Sequence, residues 1–290
     1  TAVVMVSSRL SVLAIELMLP LWCFAPAGPE ELIRLGHALQ REGRGAEARS
    51  TFAQTVELHP SHPNGWLVLA QSQLESNELQ ASIASFQNGL RLRPDAPGQQ
   101  TAYGVALQSS GRLGEAQDAY VRAIALFPTD PEAYFNLGTA YEASGDFELA
   151  LRSYRSALAH DPVDEARVHN NIGGVLSVQG QHDRAIAAYR ESLEADEGFA
   201  DAWFNLGNLL LGLSRLSEAE VHLNQALRLE PVHLKAQNKL EQLWAMSTRL
   251  VQQQHESSFE EIKCDKDETC TASASNAVTR QREIEGPLIV

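Results

Sequence analysis

The sequence predicts an all-α protein, a right-handed superhelical solenoid of helix-turn-helix repeats. Three observations predict it: a fixed 34-residue spacing, small residues at two positions of each period, and large residues at two others. Four prolines follow one another at 34-residue intervals, and a fifth lies 69 residues further on: Pro60, Pro94, Pro128, Pro162 and Pro231. Self-similarity at a period of this length is typical of repeat architectures.

Alignment on these prolines gives six repeats, at residues 29–62, 63–96, 97–130, 131–164, 166–199 and 200–233. The eighth residue of a repeat is small: Gly36, Ala70, Gly104, Gly138, Gly173 or Gly207. The twentieth is also small: Ala48, Ser82, Ala116, Ala150, Ala185 or Ala219. The twenty-fourth is large: Phe52, Phe86, Tyr120, Tyr154, Tyr189 or Leu223. The seventh is also large: Leu35, Leu69, Tyr103, Leu137, Ile172 or Leu206. Each repeat is therefore predicted to be two antiparallel helices that approach closely at positions eight and twenty.

The fourth repeat shows where these helices begin and end. Asp130 is a good N-cap, Pro131 suits the first helical position, and Glu132 favours the positive end of the helix dipole. Gly145 ends the first helix, because glycine readily adopts the left-handed conformation that closes a helix. Pro162 ends the second helix.

These residues resemble the tetratricopeptide repeat family. The pattern is clearest in the fourth repeat, at Tyr134, Leu137, Gly138, Tyr141, Ala150, Tyr154 and Pro162. The sixth repeat carries it at Trp203, Leu206, Gly207, Leu210, Ala219 and Pro231. The resemblance covers residues 29–233 and implies a solenoid that binds other proteins. The pattern departs from the family where Glu197 replaces a terminal proline and where one residue is inserted near Asp164.

The two ends of the chain differ from the repeats. Residues 1–28 are interpreted as a leader, with residues 5–27 a possible signal or targeting segment. Residues 234–251 are predicted to form a capping helix, because a solenoid must cover its open end. Residues 252–290 are polar and are predicted to be disordered. Cys264 and Cys270 in this tail are either free thiols, a short disulfide or a metal site.

Composition and motif content argue against several function classes. The net charge of −14 disfavours nucleic acid as a partner, since phosphate binding needs a basic face. We find no phosphate loop, nucleophile elbow or zinc-protease motif in the sequence, so we predict no catalytic residues, no cofactor and no metal. No apolar run is long enough to span a membrane. Localisation stays open: cytoplasmic, or secretory or organellar if the leader is cleaved.

The sixth position of three successive repeats suggests a binding groove. It is asparagine in repeats four, five and six, at Asn136, Asn171 and Asn205. An amide both donates and accepts hydrogen bonds, so a ladder of amides matches the backbone of an extended peptide. Other candidate groove residues are Asn170, Asn208, Glu132, Arg167 and Asp201. The groove resembles that of the repeats of O-GlcNAc transferase. Duplication of a common Asn-Leu-Gly sequence would explain the same repetition without any function.

A chaperone-tail clamp is not predicted, because it needs basic residues at the groove positions and Arg167 is the only one at positions two and five. Two hypotheses remain. The chain is either an interaction scaffold that binds an extended segment of a partner protein, or the substrate-recruiting arm of a larger enzyme.

Overall fold

The computed structural model describes residues 28–96, 98–162 and 164–264, with side chains as far as Gln254. This part of the chain contains thirteen helices and no strand, which confirms the all-α repeat fold. The helices are α1 Pro29–Arg41, α2 Gly45–Leu58, α3 Pro63–Glu75, α4 Leu79–Leu92, α5 Gln99–Ser109, α6 Leu113–Leu126, α7 Pro131–Ser144, α8 Phe147–Ala159, α9 Glu165–Val178, α10 His182–Ala195, α11 Ala200–Gly212, α12 Leu216–Leu229 and α13 Leu234–Cys264. The predicted leader lies outside the described residues, except for Gly28.

The helices belong to two compact bodies. The N-terminal body extends to Ala195 and contains α1 to α10, which are the helix pairs of repeats one to five. The C-terminal body begins at Asp196 and contains the pair of repeat six, α11 and α12, followed by α13. Each pair of helices within a repeat is in contact, as the 34-residue pattern predicts.

The turn inside each repeat is closed by a residue with a left-handed backbone. The φ angles are 76° at Gly43, 59° at Asn77, 80° at Gly111, 82° at Gly145, 73° at Gly180 and 60° at Ser214. The amide of the following residue then donates to the carbonyl five residues back, for example Asp146 N to Tyr141 O at 2.9 Å. This is the Schellman arrangement, which satisfies carbonyls at the helix end. Ser214 adopts it although serine does so less readily than glycine.

Helix starts follow the sequence interpretation in part. Asp130 Oδ1 accepts from the Glu132 amide at 3.1 Å, and Pro131 occupies the first turn of α7. At the inserted residue, Asp164 caps α9 by accepting from the Arg167 amide at 2.9 Å. Asp146, in contrast, precedes α8 without a side-chain cap bond.

The position-eight glycine lies directly under the position-24 side chain of the same repeat. A Cβ added to Gly138 would lie 2.6 Å from the Tyr154 ring, well inside van der Waals contact. Gly36, Gly104, Gly173 and Gly207 face Phe52, Tyr120, Tyr189 and Leu223 in the same way. In repeat two the position is Ala70, whose carbonyl accepts from Ser82 Oγ at 2.8 Å. A close approach of positions eight and twenty is recorded in repeat two, and in the other five repeats position eight lies against the large residue at position 24.

The C-terminal helix covers repeat six over its first three turns only. Ala236, Leu240 and Leu243 are buried, and α13 contacts both α11 and α12. Trp244 is 52 % exposed, and its Nε1 donates to Glu220 Oε1 at 3.0 Å. The helix continues to Cys264, so the predicted start of disorder at residue 252 is wrong. Residues 234–264 contain no glycine or proline, and these are the residues that most strongly end helices.

The first prediction concerns the contact between Gly138 and Tyr154. We expect Gly138→Ala to lower the free energy of unfolding by about 1–3 kcal/mol, because the added methyl group overpacks the ring. Gly114→Ala is the matched control, since a Cβ there meets nothing within 4 Å. That variant should be neutral or stabilising by up to about 1 kcal/mol. Urea unfolding of the two variants measures the difference, and equal stabilities would contradict the packing described.

The second prediction concerns α13. Deleting residues 234–290 removes Leu240 and Leu243, which are buried against repeat six, and exposes the apolar surface that they cover. We expect aggregation or a loss of helical circular dichroism larger than the deleted helix accounts for. Deleting only 265–290 should cause neither. Similar behaviour of the two truncations would show that α13 does not stabilise repeat six.

Candidate binding surface

The first helices of the repeats form one continuous surface in the N-terminal body. Helix α1 contacts α3, α3 contacts α5, and α5 contacts α7. The Arg167 guanidinium of α9 lies over the Phe135 ring of α7, 4.6 Å from its centroid. We call the surface of α1, α3, α5, α7 and α9 the A-helix face. Residues at equivalent repeat positions follow one another along it.

Two of the three predicted asparagines lie on the A-helix face. Asn136 and Asn171 are both half-buried. Asn171 Nδ2 donates to the Tyr154 hydroxyl at 3.4 Å, whereas the Asn136 side chain makes no hydrogen bond to any described residue. Asn205 is half-buried on α11 of the C-terminal body. The structure therefore describes two members of the predicted ladder on one body.

The other predicted groove residues differ in exposure. Asn170 is only 8 % exposed, so the prediction that it lines an open groove is wrong. The fifth position is also buried at Ile33, Leu67 and Thr101. Glu132, Arg167 and Asp201 are exposed and Asn208 is half-buried. Arg167 Nε lies 3.2 Å from Asp164, and Asp201 lies 3.7 Å from His233 Nε2.

Buried tyrosines reach the A-helix face from beneath through their hydroxyl groups. Tyr120 donates to Gln108 at 2.9 Å and Tyr154 donates to Glu142 at 2.6 Å. Both acceptors occupy position twelve of their repeats. Burial raises the pKa of the Tyr120 hydroxyl above its usual range, and burial together with the Glu142 hydrogen bond does the same for Tyr154. Burial, with the Glu142 charge, raises the pKa of Tyr189 to about 12.

A cavity of about 430 Å³ opens on the same face where α1, α3 and the start of α5 meet. Its walls come from the first three repeats and the connection between α4 and α5. The lining side chains are Ile33, His37, Gln40, Asn64, Leu67, Val68, Gln71, Glu75, Arg93, Ala96 and Gln99. The sequence patterns did not predict this cavity. The sequence feature that could have indicated the cavity is the set of polar residues at positions nine, twelve and thirteen of repeats one and two.

The polar side chains of the cavity are linked at each end. At one end Glu75 accepts from Gln71 Nε2 at 3.2 Å and from Gln40 Nε2 at 3.4 Å. His37 Nδ1 lies 3.0 Å from Gln40 Oε1, so the ring nitrogen is the donor. At the other end Arg93 Nη1 donates to Asn64 Oδ1 at 3.2 Å. The Gln99 Oε1 atom is buried without a hydrogen-bond donor among the described residues.

Metal-binding clusters and membrane-spanning helices are both absent from the described residues. No group of three or more His, Cys, Asp and Glu side chains that could hold a metal ion occurs within residues 28–96, 98–162 and 164–264. No helix in this part of the chain is long and apolar enough to cross a membrane. Cys270, and the side chain of Cys264, lie outside what the structure describes.

Two protein family models match parts of the chain. A tetratricopeptide repeat family model matches residues 33–97 and 102–165. The model of the middle TPR-like domain of cilia and flagella-associated protein 70 matches residues 134–269. Together they cover all six repeats and α13. No curated protein sequence matches the chain significantly.

Solved structures share the fold at low sequence identity. The type IV pilus biogenesis factor PilW has a TM-score of 0.65 and 20 % identity, over 73 % of this chain and 98 % of its own. YrrB, a TPR protein with an unusual peptide-binding site, has a TM-score of 0.52 and 22 % identity, over 66 % and 97 %. The APC/C hetero-tetramer Cut9–Hcn1 has a TM-score of 0.62 and 20 % identity. That match covers 81 % of this chain but only 45 % of the other.

The third prediction concerns Tyr189. Its raised pKa means that the unfolded chain, with a phenol pKa near 10, loses the proton first as pH rises. The contribution of the protonated Tyr189 hydroxyl to the free energy of unfolding is therefore fully present below about pH 10 and is lost as the pH approaches about 12. At pH 11 the contribution lost is on the order of 1 kcal/mol. We expect Tyr189→Phe to reduce the fall in unfolding free energy between pH 8 and pH 11, measured by urea unfolding.

Tyr154→Phe provides the comparison, because it also removes a hydrogen bond to Glu142. It should be destabilising at pH 8 as well, by about 1 kcal/mol or more. An unchanged pH dependence in Tyr189→Phe would show that this hydroxyl is not buried.

Proposed function

Because the chain belongs to the tetratricopeptide repeat family, we propose that it is an interaction scaffold that holds an extended segment of a partner protein on its A-helix face. The observation that carries the proposal is the cavity between α1, α3 and α5, whose lining side chains come from three consecutive repeats. A segment lying in the cavity along α3 can contact side chains of all three repeats. YrrB, which shares the fold, has a peptide-binding site, and this supports the same use here.

The chemistry of the cavity suits a peptide backbone. An extended chain has unpaired N–H and C=O groups along its length, and each amide side chain both donates and accepts. The cavity supplies amides at Gln40, Asn64, Gln71 and Gln99. Leu67 and Val68 supply apolar surface between them. Such a site can hold many sequences through the backbone and select among them through the side chains.

The predicted asparagines extend this proposal along the face. Asn136 has a half-buried amide without a hydrogen bond to any described residue, so it is free to pair with a bound backbone. Asn171 shares its amide with the Tyr154 hydroxyl at a long distance of 3.4 Å, which a ligand can replace. We propose both as secondary contacts, with the cavity of the first three repeats as the main one.

The alternative role, as the recruiting arm of a larger enzyme, would use the same surface. It differs only in what is attached to the repeats. The complete reading frame distinguishes the two roles, since a catalytic domain in the same chain would indicate the second.

The fourth prediction tests peptide binding at the cavity. Val68 is half-buried in the cavity wall, and Val68→Arg should fill the space and reduce the affinity for peptides selected from an array by about tenfold or more. Val121→Arg is the matched control, because Val121 is 49 % exposed on α6 and lies outside the cavity. Circular dichroism should show that both variants keep the fold. Equal affinity of the Val68→Arg variant and the parent would exclude the cavity as the binding site.

A further inference from the structure

We propose that the cavity selects a partner segment in which an acidic and a basic side chain, four residues apart, flank apolar residues. The acidic side chain would pair with Arg93 and the basic one with Glu75. This inference rests on the proposed function, because it names the chemistry of the segment that the A-helix face holds. Its evidence is the separation of the two charges, their lack of ionic partners, and the apolar surface between them.

The two charges mark opposite ends of one helix. Arg93 is hydrogen-bonded to Asn64, in the first turn of α3, and Glu75 is the last residue of the same helix. Eleven residues separate Asn64 from Glu75, which at about 1.5 Å per residue is about 16 Å. An extended segment that rises about 3.3 Å per residue covers this distance in about five residues. Side chains four residues apart point to the same side of an extended chain, and long ones reach the remaining distance.

Neither charge has an ionic partner among the described residues. Glu75 accepts only from two neutral amides, and Arg93 donates only to the amide oxygen of Asn64. Elsewhere in the N-terminal body Arg44 and Arg112 make close ion pairs with Glu47 and Glu115. The cavity therefore presents a carboxylate and a guanidinium that are hydrogen-bonded in position but still open to opposite charges.

The charged groups around the cavity leave these two ends accessible. Arg41 on α1 donates its Nε to the His37 carbonyl at 3.4 Å rather than to Glu75. Glu30 lies 3.1 Å from His62 Nε2. Arg34 on α1 and Asp95 before α5 are exposed and are not among the lining residues. His37 is the remaining titratable group that lines the cavity.

The middle of the cavity suits apolar residues and a peptide backbone. Ile33, Leu67, Val68 and Ala96 provide the apolar lining. The buried Gln99 Oε1 atom has no donor among the described residues, and a buried acceptor without a donor is costly. At the Arg93 end, a backbone N–H of the bound segment supplies that donor. The ligand is thus a peptide with apolar residues in its centre and opposite charges at its ends.

The test uses the full chain and four synthetic peptides with the same apolar centre. Their flanking residues, four positions apart, are Glu and Lys, Lys and Lys, Glu and Glu, or Gln and Gln. The parent should bind the Glu and Lys peptide about threefold to tenfold more tightly than the Gln and Gln peptide, from one or two partly exposed charge pairs. Fluorescence anisotropy at low ionic strength measures the affinities.

Two charge reversals give the decisive comparison. The Arg93→Glu variant, with two acidic ends, should prefer the Lys and Lys peptide. The Glu75→Arg variant, with two basic ends, should prefer the Glu and Glu peptide. Arg91→Glu and Glu57→Arg are matched controls on exposed positions of α4 and α2, and they should keep the parent's preference.

The outcomes separate this inference from the proposed function. If the parent binds the neutral and the charged peptides equally and Val68→Arg abolishes both, the scaffold function stands and the charge selection is wrong. The charge selection is also wrong if the charge reversals leave the preference unchanged. If the parent binds none of the peptides, the inference is overturned together with the cavity as a peptide site.

Discussion

The contact between a glycine at position eight and a large side chain at position 24 determines how closely the two helices of a repeat approach. It recurs in five of the six repeats, and in repeat two Ala70 takes the glycine's place. Because the ring occupies the space where a Cβ would stand, the two helices pack at a separation that only the smallest residues allow. The other contacts between the two helices of a repeat depend on this separation. The buried tyrosines then direct their hydroxyl groups toward position twelve, where Gln108 and Glu142 accept them.

The A-helix face follows from this packing. Once each second helix is fixed behind its first helix, consecutive first helices contact one another and their polar residues share one surface. The cavity forms where that surface includes the connection before α5, which contributes Arg93 and Ala96. The binding chemistry is therefore made by residues from three repeats, whereas the contact between positions eight and 24 is made within each repeat. This division explains why substitutions at Gly138 and Val68 are expected to affect stability and binding separately.

Much of the fold was predictable from the sequence because the same residue pattern recurs in each repeat. Prolines, small residues and left-handed turn residues recur at fixed positions, and the helix bounds and turns agree with them.

The binding site was less predictable from the sequence than the fold. Asn136 and Asn171 lie on the expected face, but Asn170 is buried, as are the position-five residues of the first three repeats. The cavity was missed because its members come from different positions in different repeats. The length of α13 was underestimated because polar composition was weighed above the absence of helix-breaking residues.

The position of Leu35 bears on how the chain responds to a ligand. Position-seven residues in the other five repeats are buried, but Leu35 on α1 is 51 % exposed, because no earlier described helix covers it. In a repeat array each unit is stabilised mainly by its neighbours, and repeat one has a single neighbouring repeat among the described residues, so local opening is expected to begin most easily there. Repeat one carries Ile33, His37 and Gln40 of the cavity. A segment bound in this cavity therefore suppresses the local opening, and binding and order of the first repeat are thermodynamically coupled. Because of this coupling, amide hydrogen exchange in α1 and α2 is expected to be slower when a segment is bound than when the chain is free.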